Sequence, residues 1–321
     1  MMVRIPEAHP LDVLIAWVSS RSKVFSQGWG DEVLLGGFSG RVLSDDPCVP
    51  ICITWCEEQQ RGNATVQDGT FESPLNGLPA KVNTVHVRAW KRRGHTAACV
   101  ILGASRDQGY AARERVFGSL LNRDIDLYFL ENPFYGRRRT AEGPATITVS
   151  DHGLMGLGMV LEARALLEHL RGSYRRIAVA GYSMGGHMAA ITAAVSPFPV
   201  ACAALATGAS ASSIYNRGLL SWSVDVGALG GMPTQTAIVR ERLHQFFAAA
   251  DLTQFNPPQK TDAAIVAGCT RDGYVLRAET ERLHRHWPGS TLRWIAAGHF
   301  SALITQRRML CDCIADAIAR L

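Results

Sequence analysis

Short apolar runs alternate with longer amphipathic segments over most of the chain after residue 80. The runs have the length and composition of buried strands, whereas the segments between them place apolar residues at helical spacing. Strands are therefore expected at residues 81–90, 97–105, 125–133, 175–183, 200–209, 262–270 and 290–299. A long helix is expected over residues 148–172, and a closing helix ends at Leu321. This alternation predicts an α/β fold with a doubly wound, mostly parallel sheet of about eight strands and helices on both faces.

Two regions do not follow this alternation. Residues 210–260 are too long for an ordinary connection and contain apolar helical pieces, so they predict a lid or cap insertion. The amino-terminal run "PLDVLIAWVSSR" contains Asp12, is too short to span a bilayer and lacks a basic leader, which predicts an amphipathic helix packed on the body. The expected organisation is a helical extension over residues 1–60, an α/β core over 61–209 and 261–321, and the insertion over 210–260.

The composition is that of a packed globular protein, with 47% hydrophobic and 19% charged residues in a chain of 321. The formal net charge of +5 is small for this length. Basic residues cluster in "WKRRGH" (90–95) and "YGRRRT" (135–140), two short stretches without interleaved aromatic residues. They predict a solvated surface and no nucleic-acid partner.

Eight cysteines are scattered along the chain, several of them inside apolar runs where a free thiol behaves as a small hydrophobe. This usage predicts a reducing, cytoplasmic location. Cys48, Cys52 and Cys56 recur every fourth residue, but neither a histidine nor a fourth cysteine joins them at zinc-type spacing. The sequence therefore predicts no metal site, and the role of these three cysteines stays open.

The stretch "VAGYSMGGHMAA" (179–190) places Ser183 between two glycines where an apolar strand ends and a helix of small residues begins. This is the context of a nucleophile elbow. The tight turn strains the serine backbone, and Gly181 and Gly185 avoid the side-chain clashes that such a close approach would create. Because a helix begins here, its first free amide, that of Met184, is expected to donate to a developing oxyanion.

A serine hydroxyl needs a base and an orienting acid, expected downstream in the order Ser, Asp or Glu, His. His299 follows the last predicted strand in "IAAGHFSAL", and Asp272 follows the preceding strand in "VAGCTRDGYV". Both positions are at the carboxyl ends of strands, where open α/β sheets place their chemistry. The sequence therefore predicts a catalytic triad of Ser183, Asp272 and His299.

Four other residues compete for functional roles. His187, on the helix after the elbow, is interpreted as a packing or hydrogen-bonding residue. His152, in "SDHG", fits a helix cap better than a catalytic pair with the preceding aspartate. Asp225 in the insertion is the alternative acid, and Asp107 is either a turn residue or a substrate contact.

"GYSMGG", with an acid at Asp272 and a base at His299, resembles the α/β-hydrolase superfamily over roughly residues 80–321. A more specific similarity is to a subfamily of α/β-hydrolase-domain proteins long described as a domain of unknown function. The stretches that carry it are "LENPFYGRRRT", "VSDHGLMGLG", "EARALL", "GYSMGGHMAA" and "GASASSIYNRGLLS". The resemblance implies an α/β-hydrolase fold. Where many superfamily members have a His-Gly pair this chain has "LGASRD" (102–107), so Ala104 or Ser105 would supply the second oxyanion N–H.

These features predict a serine hydrolase that cleaves a carboxylic ester or thioester through an acyl-enzyme, without a metal or organic cofactor. A peptidase, an acyltransferase and a non-catalytic binding protein on the same fold are the alternatives. The expected substrate is a small-molecule or lipid ester with an apolar acyl chain, because six residues of the insertion have spacings that give helices an apolar face: Leu219, Leu220, Trp222, Leu243, Phe246 and Phe247. Peripheral contact with lipid is a further expectation if the basic stretches hold an anionic head group near the mouth of the site. The residues do not predict an oligomeric state.

Overall fold

The computed structural model describes residues 5, 7–40, 48–140 and 148–321. Ten strands in these residues form one sheet: β1 (Thr54–Trp55), β2 (Gln59–Arg61), β3 (Ala64–Glu72), β4 (Thr84–Lys91), β5 (Ala97–Leu102), β6 (Ile125–Leu130), β7 (Arg176–Tyr182), β8 (Ala201–Leu205), β9 (Ala264–Cys269) and β10 (Thr291–Ile295). The α-helices of the same part of the chain are α1 (Pro10–Ser19), α2 (Glu32–Gly40), α3 (Ala80–Asn83), α4 (Ala111–Phe117), α5 (Val149–Arg171), α6 (Met184–Ala194), α7 (Ala211–Asn216), α8 (Thr236–Ala248), α9 (Arg277–His286), α10 (His299–Thr305) and α11 (Arg307–Ala319).

The strand order is β1-β3-β4-β6-β5-β7-β8-β9-β10, and β2 pairs with β3. Pairing is antiparallel from β1 through β4 to β6, and parallel among β6, β5, β7, β8, β9 and β10. From the adjacent strands β5 and β7 the chain continues in opposite directions, to β6 and to β8. Such a switch point opens a crevice at the carboxyl ends of the strands, where ligands of open α/β sheets bind.

The central strands are buried on both faces, which is why they appear in the sequence as continuous apolar runs. In β5, Val100 and Leu102 pack in a core that contains Met155 of α5, whereas Ile101 packs in the opposite core with Ile314 of α11. Successive side chains of a strand point to opposite faces, so one run of apolar residues supplies both cores. This double burial holds the ends of β5, β7 and β9 in register below the crevice.

The structure confirms the predicted fold class, but the sheet has ten strands instead of about eight. The additional strands come before residue 80. β1 and β2 have only two and three residues, and β3 alternates buried positions such as Gly69 with half-exposed positions such as Asp68. Antiparallel strands at the edge of a sheet keep one face in water, so they lack the continuous apolar run that marks the central strands.

The region predicted as an amino-terminal helical extension contains α1, α2 and β1, and residues 210–260 contain α7, α8 and short 3-10 turns. The boundaries of these regions stay a prediction. Cys48, Cys52 and Cys56 are free thiols, and the described residues contain no group of three or more His, Cys, Asp or Glu side chains placed to hold a metal ion. In the same residues, no helix combines the length and the apolar character needed to cross a membrane.

Candidate active site

Ser183 lies in the turn between β7 and α6, at the carboxyl end of the switch-point strand. Its backbone has φ 57° and ψ −120°, a strained conformation for a residue with a side chain. A Cβ added to Gly185 would lie 2.5 Å from the carbonyl oxygen of Leu102, and one added to Gly181 would clash with the backbone of Gly185. The glycines of the motif are therefore required by the close approach of β5, β7 and α6, as the sequence predicted.

The structure brings together the three side chains predicted as a triad. The Nε2 atom of His299 is 2.9 Å from the Oγ of Ser183, and its Nδ1 is 2.7 Å from the Oδ2 of Asp272. The other carboxylate oxygen, Oδ1, accepts the amide N–H groups of Tyr274 and Val275, both at 2.8 Å. Because a carboxylate can only accept, Nδ1 of the imidazole carries the proton and Nε2 is free to accept one from the serine.

Two opposing effects act on the pKa of His299. Burial of the imidazole lowers this pKa. The charge and hydrogen bond of Asp272, together with the charge of Asp12, raise it by more than burial lowers it, so the pKa of His299 lies above its ordinary value of 6.5. The other titratable groups around the ring are Tyr182, which donates to the His299 carbonyl, and Tyr274, whose ring centroid is 5.1 Å away. Burial raises the pKa of both phenols, which keeps them neutral. The arrangement therefore stabilises an imidazolium with two carboxylates.

Burial also raises the pKa of Cys269, whose thiol is 3.6 Å from the Tyr182 hydroxyl. It adds no negative charge to the environment of the imidazole at neutral pH.

The loop after β5 reaches the same cavity as the triad. Ala104 and Ser105, the two residues predicted to supply an oxyanion donor, both line it. The amide of Arg106, which has φ 66°, already donates to the Tyr135 hydroxyl at 3.3 Å. Met184, the other predicted donor, is the first residue of α6, so its amide has no carbonyl partner in a preceding turn.

Sequence reasoning missed the residues that hold this loop in place. Asn132 donates its side-chain amide to the carbonyl of Gly103 at 3.1 Å. The Tyr135 hydroxyl accepts the amide of Arg106, three residues further along the same loop. Arg113 donates to the carbonyls of Ile101, the last but one residue of β5, and of Leu130, the last residue of β6, at 2.7 Å each. Asn132 and Tyr135 belong to "LENPFYGRRRT", one of the stretches that carry the family resemblance, whereas an arginine in a helical pattern gives no comparable signal.

Asp107 is more buried than a turn residue would be. Its Oδ2 lies 2.7 Å from the Nε of Arg113, and only 7% of its side chain is exposed. Burial raises the pKa of this carboxyl, and the residue lines the cavity. The ion pair ties the loop after β5 to α4.

The alternative residues lie in other surroundings. The ring nitrogens of His187 are 3.2 and 2.9 Å from the carbonyl oxygens of Gly208 and Ala250. His152 packs edge-on against aromatic rings, and the cap of α5 is provided by Thr148 instead of the "SDHG" segment. Asp225 accepts the amide of Ala228 within its own loop. The contact with His299 is made by Asp272.

A cavity of about 540 Å³ lies beside Ser183 and His299. Much of its wall is apolar and comes from α4, α1, α10 and the insertion: Ala111, Ala112, Val116, Phe117, Ile15, Phe300, Leu303, Ile214 and Leu220. Of the six insertion residues predicted to line it, only Leu220 does. Leu219 and Trp222 pack in the cluster beside α1, Leu243 and Phe247 pack with Phe25, and Phe246 lines a smaller cavity of about 90 Å³ with Phe247.

The basic stretches "WKRRGH" and "YGRRRT" contribute no residue to the wall of this cavity. Arg138 is fully buried in an ion pair with Glu162, and Arg137 is 3.3 Å from Asp68. The cations that line the cavity are Arg106 and Arg113. The interpretation of "WKRRGH" and "YGRRRT" as a head-group site at the mouth therefore loses its structural support.

Comparison with known proteins identifies the family of this chain. The family model for alpha/beta hydrolase domain containing 18 matches residues 22–236 and 231–320. The chain belongs to this family. The resemblance seen in the sequence is thus confirmed, and the family and its fold support a hydrolase.

Several solved structures share the fold. An acetyl xylan esterase from Thermoanaerobacterium sp. is 14% identical over 94% of this chain and 99% of that chain, with a TM-score of 0.57. One from Paenibacillus sp. R4 is 11% identical over 96% of each chain, with a TM-score of 0.55. A cold-adapted esterase from an Arctic intertidal metagenomic library is 14% identical over 83% of this chain and 99% of that chain, with a TM-score of 0.53. At such low identity these matches show the fold alone.

Proposed function

We propose that this protein is a serine hydrolase that cleaves a carboxylic ester or thioester through an acyl-enzyme. The observation that carries the proposal is that Ser183, His299 and Asp272 lie within hydrogen-bond distance of one another in that order. Ser183 and His299 line the cavity at the switch point of the sheet. The similar solved structures are esterases, which agrees with this proposal. A water-accessible ester of a small molecule or lipid is the expected substrate.

The geometry supports the following mechanism. The Ser183 hydroxyl attacks the substrate carbonyl carbon while its proton passes to Nε2 of His299, and Asp272 stabilises the imidazolium. The oxyanion of the tetrahedral intermediate accepts the amide N–H of Met184 and that of Ala104 or Ser105, each worth about 3–4 kcal/mol of transition-state stabilisation. The imidazolium then protonates the leaving alcohol or thiol, and water repeats the sequence on the acyl-enzyme.

A fluorophosphonate probe tests the proposal directly, since it reacts covalently with an activated serine. Mass spectrometry of the labelled protein should place the adduct on the peptide that contains Ser183. Product analysis then separates the alternatives, because a hydrolase releases free acid and an acyltransferase releases a new ester or amide. Absence of labelling in a folded protein would favour a non-catalytic binding role.

The apolar wall of the cavity predicts selectivity for acyl chains. Each buried methylene contributes up to about 0.8 kcal/mol, or about fourfold in kcat/KM. We expect kcat/KM for p-nitrophenyl esters to rise from acetyl to medium-chain acyl groups and then level off. Ala112→Phe, which narrows the cavity at α4, should abolish this rise while leaving acetyl turnover within about twofold.

Arg115→Phe is the matched control for this experiment, because Arg115 is exposed on the same helix and does not line the cavity. Its chain-length profile should equal that of the wild type. A flat or falling wild-type profile would contradict an acyl-binding cavity and would point to small polar esters.

We also propose that residues 210–260 act as a lid through their first part. Ile214 of α7 and Leu220 line the cavity, whereas Leu243 and Phe247 of α8 anchor the segment in a separate core with Phe25.

The boundaries predicted from the sequence for the amino-terminal extension, the α/β core and the insertion belong to this proposal. The cytoplasmic location expected from the cysteines also stays a prediction, and all eight are free thiols.

Peripheral contact with lipid is proposed on a different surface from the basic stretches. Four of the ten large apolar side chains exposed in the described residues lie on α1, next to the cavity wall at Ile15: Val13, Leu14, Trp17 and Val18. An exposed apolar face of a helix is the feature by which proteins lie on a bilayer surface.

Flotation with phosphatidylcholine vesicles tests this contact. The wild type should float with the vesicles, and a variant with Leu14, Trp17 and Val18 replaced by serine should lose most of that binding. The control is Ile238→Ser, which removes an even more exposed apolar side chain from α8. If wild type and triple variant partition alike, the α1 face does not contact lipid.

A further inference from the structure

Asp12 is a buried carboxylate on α1 that contacts the two loops carrying the acid and the base of the candidate triad. Its exposed fraction is 0%. Its Oδ2 accepts the amide N–H of His299 at 2.7 Å and that of Gly273 at 3.1 Å, while Oδ1 accepts the amide of Phe300 at 3.0 Å. One side chain thus joins the residue after Asp272 to the backbone of the base.

The loops are shaped to receive this helix. A Cβ added to Gly298 would lie 2.9 Å from Oδ2 of Asp12 and would clash with His9. The His9 amide donates to the carbonyl of Arg271 at 2.9 Å, one residue before the triad acid. The hydroxyl of Tyr274 donates to the Asp12 carbonyl at 3.5 Å. The amino-terminal helix therefore packs directly on both loops.

An aspartate at this position is not required by packing alone. Burying a carboxylate is costly unless hydrogen bonds replace its water, and an apolar residue of similar size would fill the same space without that cost. Asp12 meets the cost with three amides, all from residues within one position of Asp272 or His299. Its hydrogen bonds thus fix the distance between the two loops.

The same carboxylate places a negative charge beside the imidazole. The groups that face His299 are Asp272 from the loop after β9, Asp12 from α1, and the neutral hydroxyl-bearing side chains of Ser183, Tyr182 and Tyr274. The charge of Asp12 therefore adds to that of Asp272 in stabilising the imidazolium that forms when the serine is deprotonated.

We propose that Asp12 is a positioning residue of this active site, which holds the His299 and Asp272 loops in catalytic register and assists the base electrostatically. This inference rests on the serine hydrolase function proposed above. It makes α1 part of the active site, although α1 lies outside residues 22–236 and 231–320, which the family model matches.

Asp12→Asn tests the proposal. The carboxamide oxygen can keep the two amides now held by Oδ2, but its NH₂ opposes the Phe300 amide and its charge is gone. With p-nitrophenyl butyrate as substrate, kcat should fall about tenfold to a hundredfold with KM within about twofold, since small misplacements of a base cost this much. The acid limb of the kcat/KM profile should also move to lower pH, because removal of a negative charge lowers the pKa of His299.

The matched control is Asp251→Asn. Like Asp12, Asp251 accepts a backbone amide, that of Thr253. Its other partner is Arg282, and it contacts neither triad loop. The kcat of the Asp251→Asn variant and the acid limb of its kcat/KM profile should stay at the wild-type values even if its melting temperature falls. A folded Asp12→Asn protein with wild-type kcat would overturn the proposal. So would a reduced kcat with an unmoved acid limb, because that result describes a purely structural residue.

If Asp12→Asn does not fold, residue-resolved hydrogen exchange in the wild-type protein tests whether Asp12 holds the two loops. The amides of Gly273, His299 and Phe300 should exchange as slowly as those of the core strands, because a buried acceptor holds them. Exchange at the rate of an exposed loop would refute the contact. A wild type that neither turns over esters nor reacts with fluorophosphonate would instead refute the proposed function, a separate result.

Discussion

Ser183→Ala is expected to abolish ester turnover and fluorophosphonate labelling while leaving the fold intact. Without the Oγ atom no acyl-enzyme can form, and removal of a nucleophile of this type costs on the order of a millionfold in kcat. His299 and Asp272 keep their hydrogen bond in the variant, so the loops remain in place. Steady-state turnover, labelling and thermal unfolding of the purified variant give the three measurements.

Ser119→Ala is the matched control, since Ser119 is hydrogen-bonded to Cys311 and lies outside the cavity. It should label and turn over like the wild type. Ser183→Gly is a second variant: it should be equally inactive but more stable than Ser183→Ala by about 1 kcal/mol, because glycine adopts φ 57° without strain. Substantial hydrolysis by a folded Ser183→Ala protein would contradict the nucleophile assignment.

Asp272→Asn is expected to lower kcat on the order of ten-thousandfold. The amides of Tyr274 and Val275 both donate to Oδ1, so the carboxamide oxygen of the variant should occupy that position and its NH₂ should face His299. An NH₂ donor at Nδ1 forces the imidazole into the tautomer that carries its proton on Nε2. That tautomer cannot accept a proton from Ser183, so the base is lost while the fold remains.

Measurement of kcat for Asp272→Asn beside Asp225→Asn assigns the acid. The Asp225 carboxylate caps its own loop at Ala228, so its variant should keep kcat within about twofold. The opposite pattern, with Asp225→Asn inactive and Asp272→Asn active, would place the acid in the insertion.

Much of this arrangement could be predicted from the sequence because its parts are local. The apolar run of β7, the glycines around Ser183 and the small residues of α6 are adjacent in the chain, and their spacing alone describes a strand, a tight turn and a helix. The loops of Asp272 and His299 follow apolar runs in the same way. Parallel strands bring their carboxyl ends to one edge of a sheet, so loops distant in sequence could be expected to meet there.

The edge strand and the insertion contacts differ from the sequence prediction for two physical reasons. β3 is half-exposed at the antiparallel edge of the sheet, so its residues need no continuous apolar run. The insertion residues Leu243 and Phe247 have the helical spacing expected of a cavity wall, yet they pack in a separate core with Phe25. Helical spacing indicates that one face is buried but not which surface buries it.

The sequence by itself determined the alternation of strands and helices after residue 80, the elbow at Ser183 and the strand-end positions of Asp272 and His299, because each depends on neighbouring residues and on the periods of helix and strand. Only the tertiary structure decided that Asn132 and Tyr135 hold the loop after β5. It also decided that Asp12 holds an amide 287 positions away. A hydrogen bond between segments so distant in the chain depends on how the sheet and helices pack, and it leaves no periodic trace in the order of the residues.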